Sequence, residues 1–171
     1  MANFNSSILF ALQNEDATLA YKTVPDEPPG AYAISGINSK SFPVEFNQIN
    51  NITQIRRGPA VQSFYKTHFW NTYYDQLISD DLASRVLDAA INSGANTAVK
   101  LLQKAVNSIS ENKLVEDGKW GPATLNAVNK GDQSKLLSSF KKIRSDHYDA
   151  IVEKNPSLTK YLSAWKARAS K

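Results

Sequence analysis

The chain has 171 residues, 42% of them hydrophobic, and a formal net charge of +4 at pH 7. This length predicts a single domain that can bury a proper core. Cysteine is absent, which excludes disulfides, thiol nucleophiles and cysteine metal sites, and no glycine-rich phosphate loop occurs. The two histidines, His68 and His147, lie far apart in the sequence, so we expect no metal site and no Ser-His-Asp triad.

The basic charge balance favours anionic partners such as nucleic acid, membrane surfaces or cell-wall polymers, or it reflects solubility alone. Basic residues do not alternate with aromatic ones in any run, so we do not expect nucleic acid binding. No apolar run is long enough to cross a bilayer, and we expect no stable membrane insertion. The N-terminal residues lack the features of a secretory signal, so no signal peptide is expected.

The first predicted element is a helix over residues 4–15. On such a helix Glu15 falls at the end of an otherwise apolar face. An apolar face would desolvate the carboxyl and keep part of it protonated near neutral pH, so that it could donate a proton to a leaving oxygen. Alternatively, Glu15 frays outward at the helix end and is merely solvated. The apolar positions of this face are Phe4, Ile8, Ala11 and Leu12.

Residues 16–60 contain five prolines and three glycines, so we expect loops and a small β element there. Two short stretches alternate in the manner of strands. In "YAIS" the residues Tyr32 and Ile34 share a face, and in "FPVEF" the residues Phe42, Val44 and Phe46 do. The segment "GINSKS" is the predicted turn between them.

Glycosidic chemistry usually requires a second carboxylate, and the loop "VPDEPPG" supplies two candidates, Asp26 and Glu27. The same residues are also normal in a turn before Pro-Pro-Gly, and turn formation alone would explain them. Asp16 follows Glu15 directly and would point elsewhere if the helix continued, because neighbours in sequence face different sides of a helix.

From Gln62 onward the pattern is helical. One helix is predicted to end at Gly94, the next to start at Asn96, a third to begin with Pro122 and a long one to stop before Pro156. The fold class that we predict is mainly α (α+β), a single domain with a small β element in its N-terminal half.

Several polar and aromatic residues are ambiguous. Asp88 and Asn92 lie one turn apart on an otherwise apolar helix and need partners, so they either hold loops in place or face a cleft. Four aromatic residues either stack on sugar rings or fill the core: Tyr32, Tyr65, Trp70 and Trp120. The basic residues near the C-terminus are interpreted as a solvated face: Lys154, Lys160, Lys166, Arg168 and Lys171.

The motifs of the C-terminal half resemble those of the phage and bacterial N-acetylmuramidases of glycoside hydrolase family 108. The segments that carry the resemblance are "LDAAINSGANTAVKLLQKAVN", "DGKWGPATLNAV", "HYDAIVEKNPSLTKYLSAWKARA" and, before them, "FYKTHFW". They occur in the order found in that family and cover most of residues 60–169. The ordered series is more specific than any one of its motifs.

The N-terminal half resembles the same family more loosely. The family's catalytic glutamate ends the first helix in Leu-x-x-Glu-Gly-Gly, and "LQNEDA" places Glu15 there, with Asp16 and Ala17 in place of the glycines. The family's Asp-Pro-Gly-Gly and Tyr-Gly-Ile-Ser segments correspond to "EPPG" and "YAIS", so that Glu27 stands where aspartate is usual.

The resemblance implies a lysozyme-like peptidoglycan hydrolase, an endolysin that cleaves the β-1,4 bond between N-acetylmuramic acid and N-acetylglucosamine. Glu15 would be the general acid, Asp26 or Glu27 the second carboxylate, and Tyr32, Ser35 and Asn92 substrate-binding residues. No cofactor is implied, and we expect a monomer. Residues 1–80 would form the catalytic part and residues 81–171 a helical peptidoglycan-binding-like part, packed as one globular unit.

Two alternatives stay open. One is a lytic transglycosylase that uses Glu15 alone, and the other is a non-catalytic peptidoglycan-binding or secretion accessory protein. For localisation, the resemblance to phage proteins implies accumulation in the host cytoplasm before lysis, followed by action on the periplasmic cell wall.

Overall fold

The computed structural model describes residues 1–171, which form eight α-helices and one three-stranded antiparallel sheet. The predicted mainly α fold with a small β element is confirmed, and it fits an α+β lysozyme-like architecture. The helices are α1 (Phe4–Glu15), α2 (Pro43–Asn50), α3 (Gly58–Phe69), α4 (Asp80–Ser93), α5 (Ala95–Ile109), α6 (Pro122–Lys130), α7 (Gln133–Lys154) and α8 (Thr159–Ser170). The strands are β1 (Thr23–Asp26), β2 (Ala31–Ile34) and β3 (Ile37–Asn38).

Helix α1 has the bounds that its sequence predicts. The side chain of Asn3 caps its N-terminus by accepting a hydrogen bond from the backbone N–H of Asn5. Ile8, Ala11 and Leu12 are completely buried on the face that packs against α4. At Asp16 the backbone leaves the helix (φ −146°, ψ 87°), which frees the residues after Glu15 to turn toward the sheet.

The sheet lies directly after this helix in the chain. Strand β2 is central, and its register with β1 pairs Val24 with Ala33 and Asp26 with Ala31. Residues paired across two strands lie on the same face of a sheet. One face of the sheet therefore carries Val24, Asp26 and Ala33.

The predicted strand in "FPVEF" is wrong, because this segment forms the start of α2. Pro43 occupies the first turn, where its fixed φ and missing N–H suit a helix. Phe46 and Ile49, three residues apart, are the buried residues of this helix. The apolar residues of "FPVEF" therefore follow helical spacing toward Ile49, and the predicted turn "GINSKS" instead contains β3.

The helical half follows its local signals closely. Gly94 ends α4 with a left-handed φ of +89°, which an L side chain rarely adopts. Pro122 begins α6, and Asp132 caps α7 by accepting hydrogen bonds from two backbone N–H groups. No helix combines the length and the apolar character that crossing a membrane requires.

The two halves of the chain share one core. A single hydrophobic cluster of 27 buried residues extends from Ala2 to Phe140. Helix α1 packs along α4, α4 packs against α5, and α7 packs against both α5 and α8. The C-terminal helix α8 is thereby brought back to the end of α1, where the candidate site lies.

Candidate active site

A groove of about 440 Å³ lies between the end of α1, the loop that follows it, and the sheet. Three carboxyl-bearing residues line it: Glu15, Asp16 and Asp26. Ser35 and Gly36, from the turn between β2 and β3, form another part of its wall. The geometry thus gathers acidic groups from the helix end and from the first strand in one groove.

Glu15 sits in a charged environment, not the apolar one that its helix face predicted. Its Oε1 lies 2.7 Å from Nη2 of Arg168 on α8, and its side chain is 20% exposed. On the other side, a Cβ added at Gly36 would lie 2.8 Å from Oε2 of Glu15, and Gly36 has a φ of +84°. A glycine is needed here for both its conformation and the close approach of the carboxyl.

The arginine beside Glu15 belongs to a buried ionic network. Arg168 donates hydrogen bonds to both carboxylate oxygens of Asp88, which is completely buried. Asp88 also pairs with Nη1 of Arg144 at 2.7 Å and accepts a hydrogen bond from the side chain of Asn14 at 3.0 Å. Burial lowers the pKa of Arg168, but hydrogen bonding and charge from Asp88, together with the charge of Glu15, outweigh it and hold that pKa above its usual value.

This network decides between the two roles that the sequence left open for Asp88. The residue holds helices together: it links α4 to α7 through Arg144 and to α8 through Arg168. The interpretation of Arg168 as part of a solvated face is wrong, since its side chain is only 13% exposed. No local signal could have identified this contact, because Glu15 and Arg168 stand at opposite ends of the chain.

Asp16 also faces the groove, although helical geometry predicted that it would point away. The helix ends before it, and its carboxylate accepts hydrogen bonds from the backbone N–H of Tyr21 at 2.8 Å and from the hydroxyls of Thr18 and Ser35. Burial alone would raise the pKa of Asp16, but these hydrogen bonds outweigh it and hold the pKa below its usual value. Asp16 therefore fixes the loop after α1 and contributes negative charge to the groove.

The two predicted candidates for the second carboxylate are placed differently. Asp26 lines the groove, and its Oδ2 accepts a hydrogen bond from the side-chain amide of Asn38 at 2.7 Å. The side chain of Glu27 is exposed and does not line the groove, and its backbone carbonyl accepts a second hydrogen bond from Asn38. Of the two, only Asp26 shares the groove with Glu15.

The predicted substrate-binding residues Tyr32, in β2, and Ser35, directly after it, also differ in whether they line the groove. Tyr32 pairs with Pro25 across the sheet, so it occupies the face opposite to Ala33, and its side chain does not line the groove. Ser35 is buried, lines the groove and donates a hydrogen bond to Asp16 at 3.1 Å. Ser35 thus lies where a substrate-binding residue was expected, whereas Tyr32 does not.

Asn92 lies away from the groove, at a separate depression between α4, α7 and α8. Its side-chain oxygen accepts a hydrogen bond from the hydroxyl of Tyr148 at 2.6 Å, and that hydroxyl accepts one from Nε of Arg144. The placement gives Asn92 a structural role, which is the first of the two interpretations that the sequence left open.

The other aromatic candidates are parts of the core or packed against it. Tyr65 is buried and donates a hydrogen bond to the backbone carbonyl of Ser35 at 2.7 Å. Burial, followed by the negative charge of Glu15, raises the pKa of Tyr65. Trp70 stacks on Tyr74, and Trp120 packs against the core. None of these rings lines the groove, which is therefore walled by polar and small aliphatic groups.

The histidines lie outside the groove. Nε2 of His68 is 3.3 Å from a carboxylate oxygen of Glu45, and His147 stands beside Tyr148 on α7. No group of three or more His, Asp or Glu side chains is arranged to hold a metal ion.

Comparison with known proteins supports part of the resemblance read from the motifs. Residues 97–170 match a family model described as "Predicted Peptidoglycan domain". Over nearly its whole length the chain shares the fold of SagA from Brucella abortus: the TM-score is 0.68 and the identity 22%, with 98% of this chain and 89% of that chain covered. No curated protein sequence matches the chain.

Proposed function

We propose that this protein hydrolyses peptidoglycan, at the β-1,4 bond between N-acetylmuramic acid and N-acetylglucosamine. The observation that carries the proposal is the groove in which Glu15, at the end of a rigid helix, stands with Asp16 and Asp26. Most glycoside hydrolases cleave a glycosidic bond with two carboxyl groups that flank it. The family model over residues 97–170 favours peptidoglycan as the polymer.

In this proposal Glu15 is the general acid that protonates the leaving glycosidic oxygen. Arg168 holds Oε1, which leaves Oε2 as the oxygen that carries the transferred proton. Asp26, which lines the same groove from strand β1, stabilises the oxocarbenium-like transition state or positions the attacking water. Asp16 adds negative charge to the same groove, and its lowered pKa keeps that charge in mild acid.

The two parts of the chain have different roles in the proposal. Residues 1–80 carry the acidic groove, and residues 81–171 hold the polymer. The parts are nevertheless coupled, since Arg168 from the second part contacts Glu15 in the first. The proposal includes membership of glycoside hydrolase family 108 and a phage origin. It also includes action as a monomer, and size-exclusion chromatography tests the oligomeric state.

Localisation is the remaining element. We propose that the enzyme accumulates in the host cytoplasm and reaches the periplasmic wall only when the inner membrane is opened at lysis. Fractionation of expressing cells before and after permeabilisation tests this, because the protein should lie in the cytoplasmic fraction first. Export into the periplasm of intact cells would contradict it.

Two other functions remain candidates because specific contacts favour them. Asp26 is tied to Asn38, which favours a lytic transglycosylase that needs only one carboxyl group. Glu15 is ion-paired with Arg168, which favours an accessory protein that holds peptidoglycan without cutting it. These candidates differ from the proposal in the products that they release.

The experiment is digestion of purified sacculi followed by mass spectrometry of the released muropeptides. Hydrolysis yields reducing sugars, a transglycosylase yields anhydro sugars, and a binding protein releases neither. Glu15→Gln should remove product formation, and Glu153→Gln, a change at an exposed carboxyl of α7, is the matched control. Anhydro products, or the same products from Glu15→Gln, would contradict the proposal.

A further inference from the structure

A second and larger cavity, of about 560 Å³, lies on the C-terminal half of the molecule. It is formed by the end of α5, the loop after it, α6 and the first turn of α7, and we call it the α5–α6–α7 groove. Its residues fall within 97–170, the part matched by the peptidoglycan family model. Its lining is separate from that of the groove that contains Glu15.

The floor of this groove is aliphatic. Val106 and Leu136 are buried beneath it, Leu114 is partly buried, and Ile109 is 37% exposed at its edge. No aromatic ring lines the groove. Sites for small ligands are concave, mostly apolar and supplied with a few polar groups, and their volumes are about 300–1,000 Å³. The α5–α6–α7 groove fits this description.

The walls are held in place by side-chain amides. The side-chain amide of Asn107 makes two hydrogen bonds to the loop after α5. Its Nδ2 donates to the carbonyl of Leu114 at 3.0 Å, and its Oδ1 accepts from the backbone N–H of Leu114 at 2.7 Å. Gln133 donates to the carbonyls of Val128 and Gly131, which fixes the turn between α6 and α7. A groove with walls fixed in this way needs little reordering to accept a ligand.

The rim is predominantly positive. Lys113, Lys130 and Lys135 are exposed at the groove, and Asp132 is the one carboxylate among its lining residues. Asp132 is occupied as the N-cap of α7, where it accepts two backbone hydrogen bonds. The Nζ of Lys135 is 3.9 Å from this carboxylate, a loose pair in solvent that costs little to open.

We propose that the α5–α6–α7 groove binds the stem peptide of peptidoglycan, an inference that rests on the proposed function and names the part of the polymer that this half recognises. In peptidoglycan the negative charges are stem carboxylates, and the small side chains of the stem are alanine methyls. Lysines on the rim match the carboxylates, and the aliphatic floor matches the methyls. Where a stem is attached, the lactyl carboxyl of muramic acid is part of an amide bond, so the sugars themselves offer the lysines no carboxylate.

Binding to sacculi tests the proposal, with Glu15→Gln as the background so that the polymer is not digested. On that background we compare Lys130→Glu/Lys135→Glu with Lys100→Glu/Lys104→Glu. The second pair makes the same charge change at exposed positions of α5 outside the groove. Reversal at the groove should weaken binding by at least about tenfold, and reversal at the control positions by less than about threefold. Equal losses in the two variants would overturn the proposal.

Competition identifies the bound chemistry. A free stem tetrapeptide should displace the protein from sacculi and shift the methyl NMR signals of Ile109 and Leu136, whereas uncharged chitooligosaccharides should do neither. Displacement by chitooligosaccharides but not by the tetrapeptide would overturn the assignment of the ligand.

The two proposals fail in different ways. If the wild type releases no sugar ends but Lys130→Glu/Lys135→Glu still loses sacculus binding, hydrolysis is refuted and the stem-peptide site stands. If the wild type cleaves and the groove variant binds like its control, the stem-peptide site is refuted and hydrolysis stands.

Discussion

The buried carboxylate of Asp88 offers the strongest test of the ionic network behind the candidate site. Asp88→Asn keeps the size of the side chain and removes its charge. Arg144, whose side chain is 2% exposed, then loses its counter-charge, and Arg168, whose side chain is 13% exposed, keeps only its pair with Glu15. Nη2 of Arg144 is already buried without a hydrogen-bond partner, so no spare acceptor is at hand.

The magnitude follows from the cost of an unpaired charge inside a protein. Removing one partner of a buried ion pair destabilises by about 3–5 kcal/mol. For a chain of this size, 1 kcal/mol corresponds to a shift in Tm of about 2–4 °C, so the variant should melt about 6–20 °C below the wild type. That loss is a large fraction of a typical total stability of about 5–15 kcal/mol.

The assay is urea unfolding followed by circular dichroism, supported by thermal melts. The control is Asp146→Asn, which breaks an exposed i,i+4 pair with Lys142 on α7 and should cost about 0.5 kcal/mol or less. If Asp88→Asn lies within about 1 kcal/mol of this control, the buried network does not hold α4, α7 and α8 together.

Three further changes test the site itself. Gly36→Ala puts a Cβ 2.8 Å from Oε2 of Glu15 and from the hydroxyl of Tyr65, at a φ of +84°. It should therefore lower the free energy of unfolding in urea by about 1–3 kcal/mol and lower sugar release. Wild-type stability would contradict this. Arg168→Gln frees Oε1 of Glu15, so it should lower kcat about tenfold or more with little change in KM. Arg168→Lys should recover part of the lost kcat. A change in KM alone would indicate a role in substrate binding instead. Because the folded pKa of Asp16 is lowered, its carboxylate contributes stability that is present above the unfolded pKa of about 3.9 and is lost as the pH falls through the lower folded value. Asp16→Asn should therefore reduce the loss of unfolding free energy in acid. An unchanged dependence of stability on pH would refute this.

Local sequence signals predicted the helical part of the fold because each helix carries its own pattern and stop. Helix α1 was predicted from an apolar face, and Gly94, Pro122 and Pro156 mark ends that depend only on nearby backbone geometry. The segment "FPVEF" failed because five residues with alternating apolar positions also fit one turn and a half of helix, and packing of Phe46 and Ile49 decided between them.

The candidate site was predictable only in part. Glu15 could be identified because a carboxylate interrupted an apolar face, yet its true neighbour, Arg168, comes from a helix 153 positions later and left no local trace. The prediction that Asp16 points away is wrong because the helix ends at Glu15, so helical spacing does not apply to Asp16. Tyr32 and Glu27 lie outside the groove, which local sequence does not predict because strand register and loop direction depend on pairing with the rest of the chain.

The role of Glu15 as general acid is tested by the initial rate at which reducing sugar ends appear from purified peptidoglycan. Wild type, Glu15→Gln and Glu153→Gln are compared at equal concentration, after circular dichroism has shown that all three are folded. We expect a rate for Glu15→Gln that is lower by about 10²-fold or more, since general acid catalysis contributes roughly that much, and an unchanged rate for Glu153→Gln. Equal rates for the wild type and Glu15→Gln, or no reducing ends from the wild type, would contradict this role.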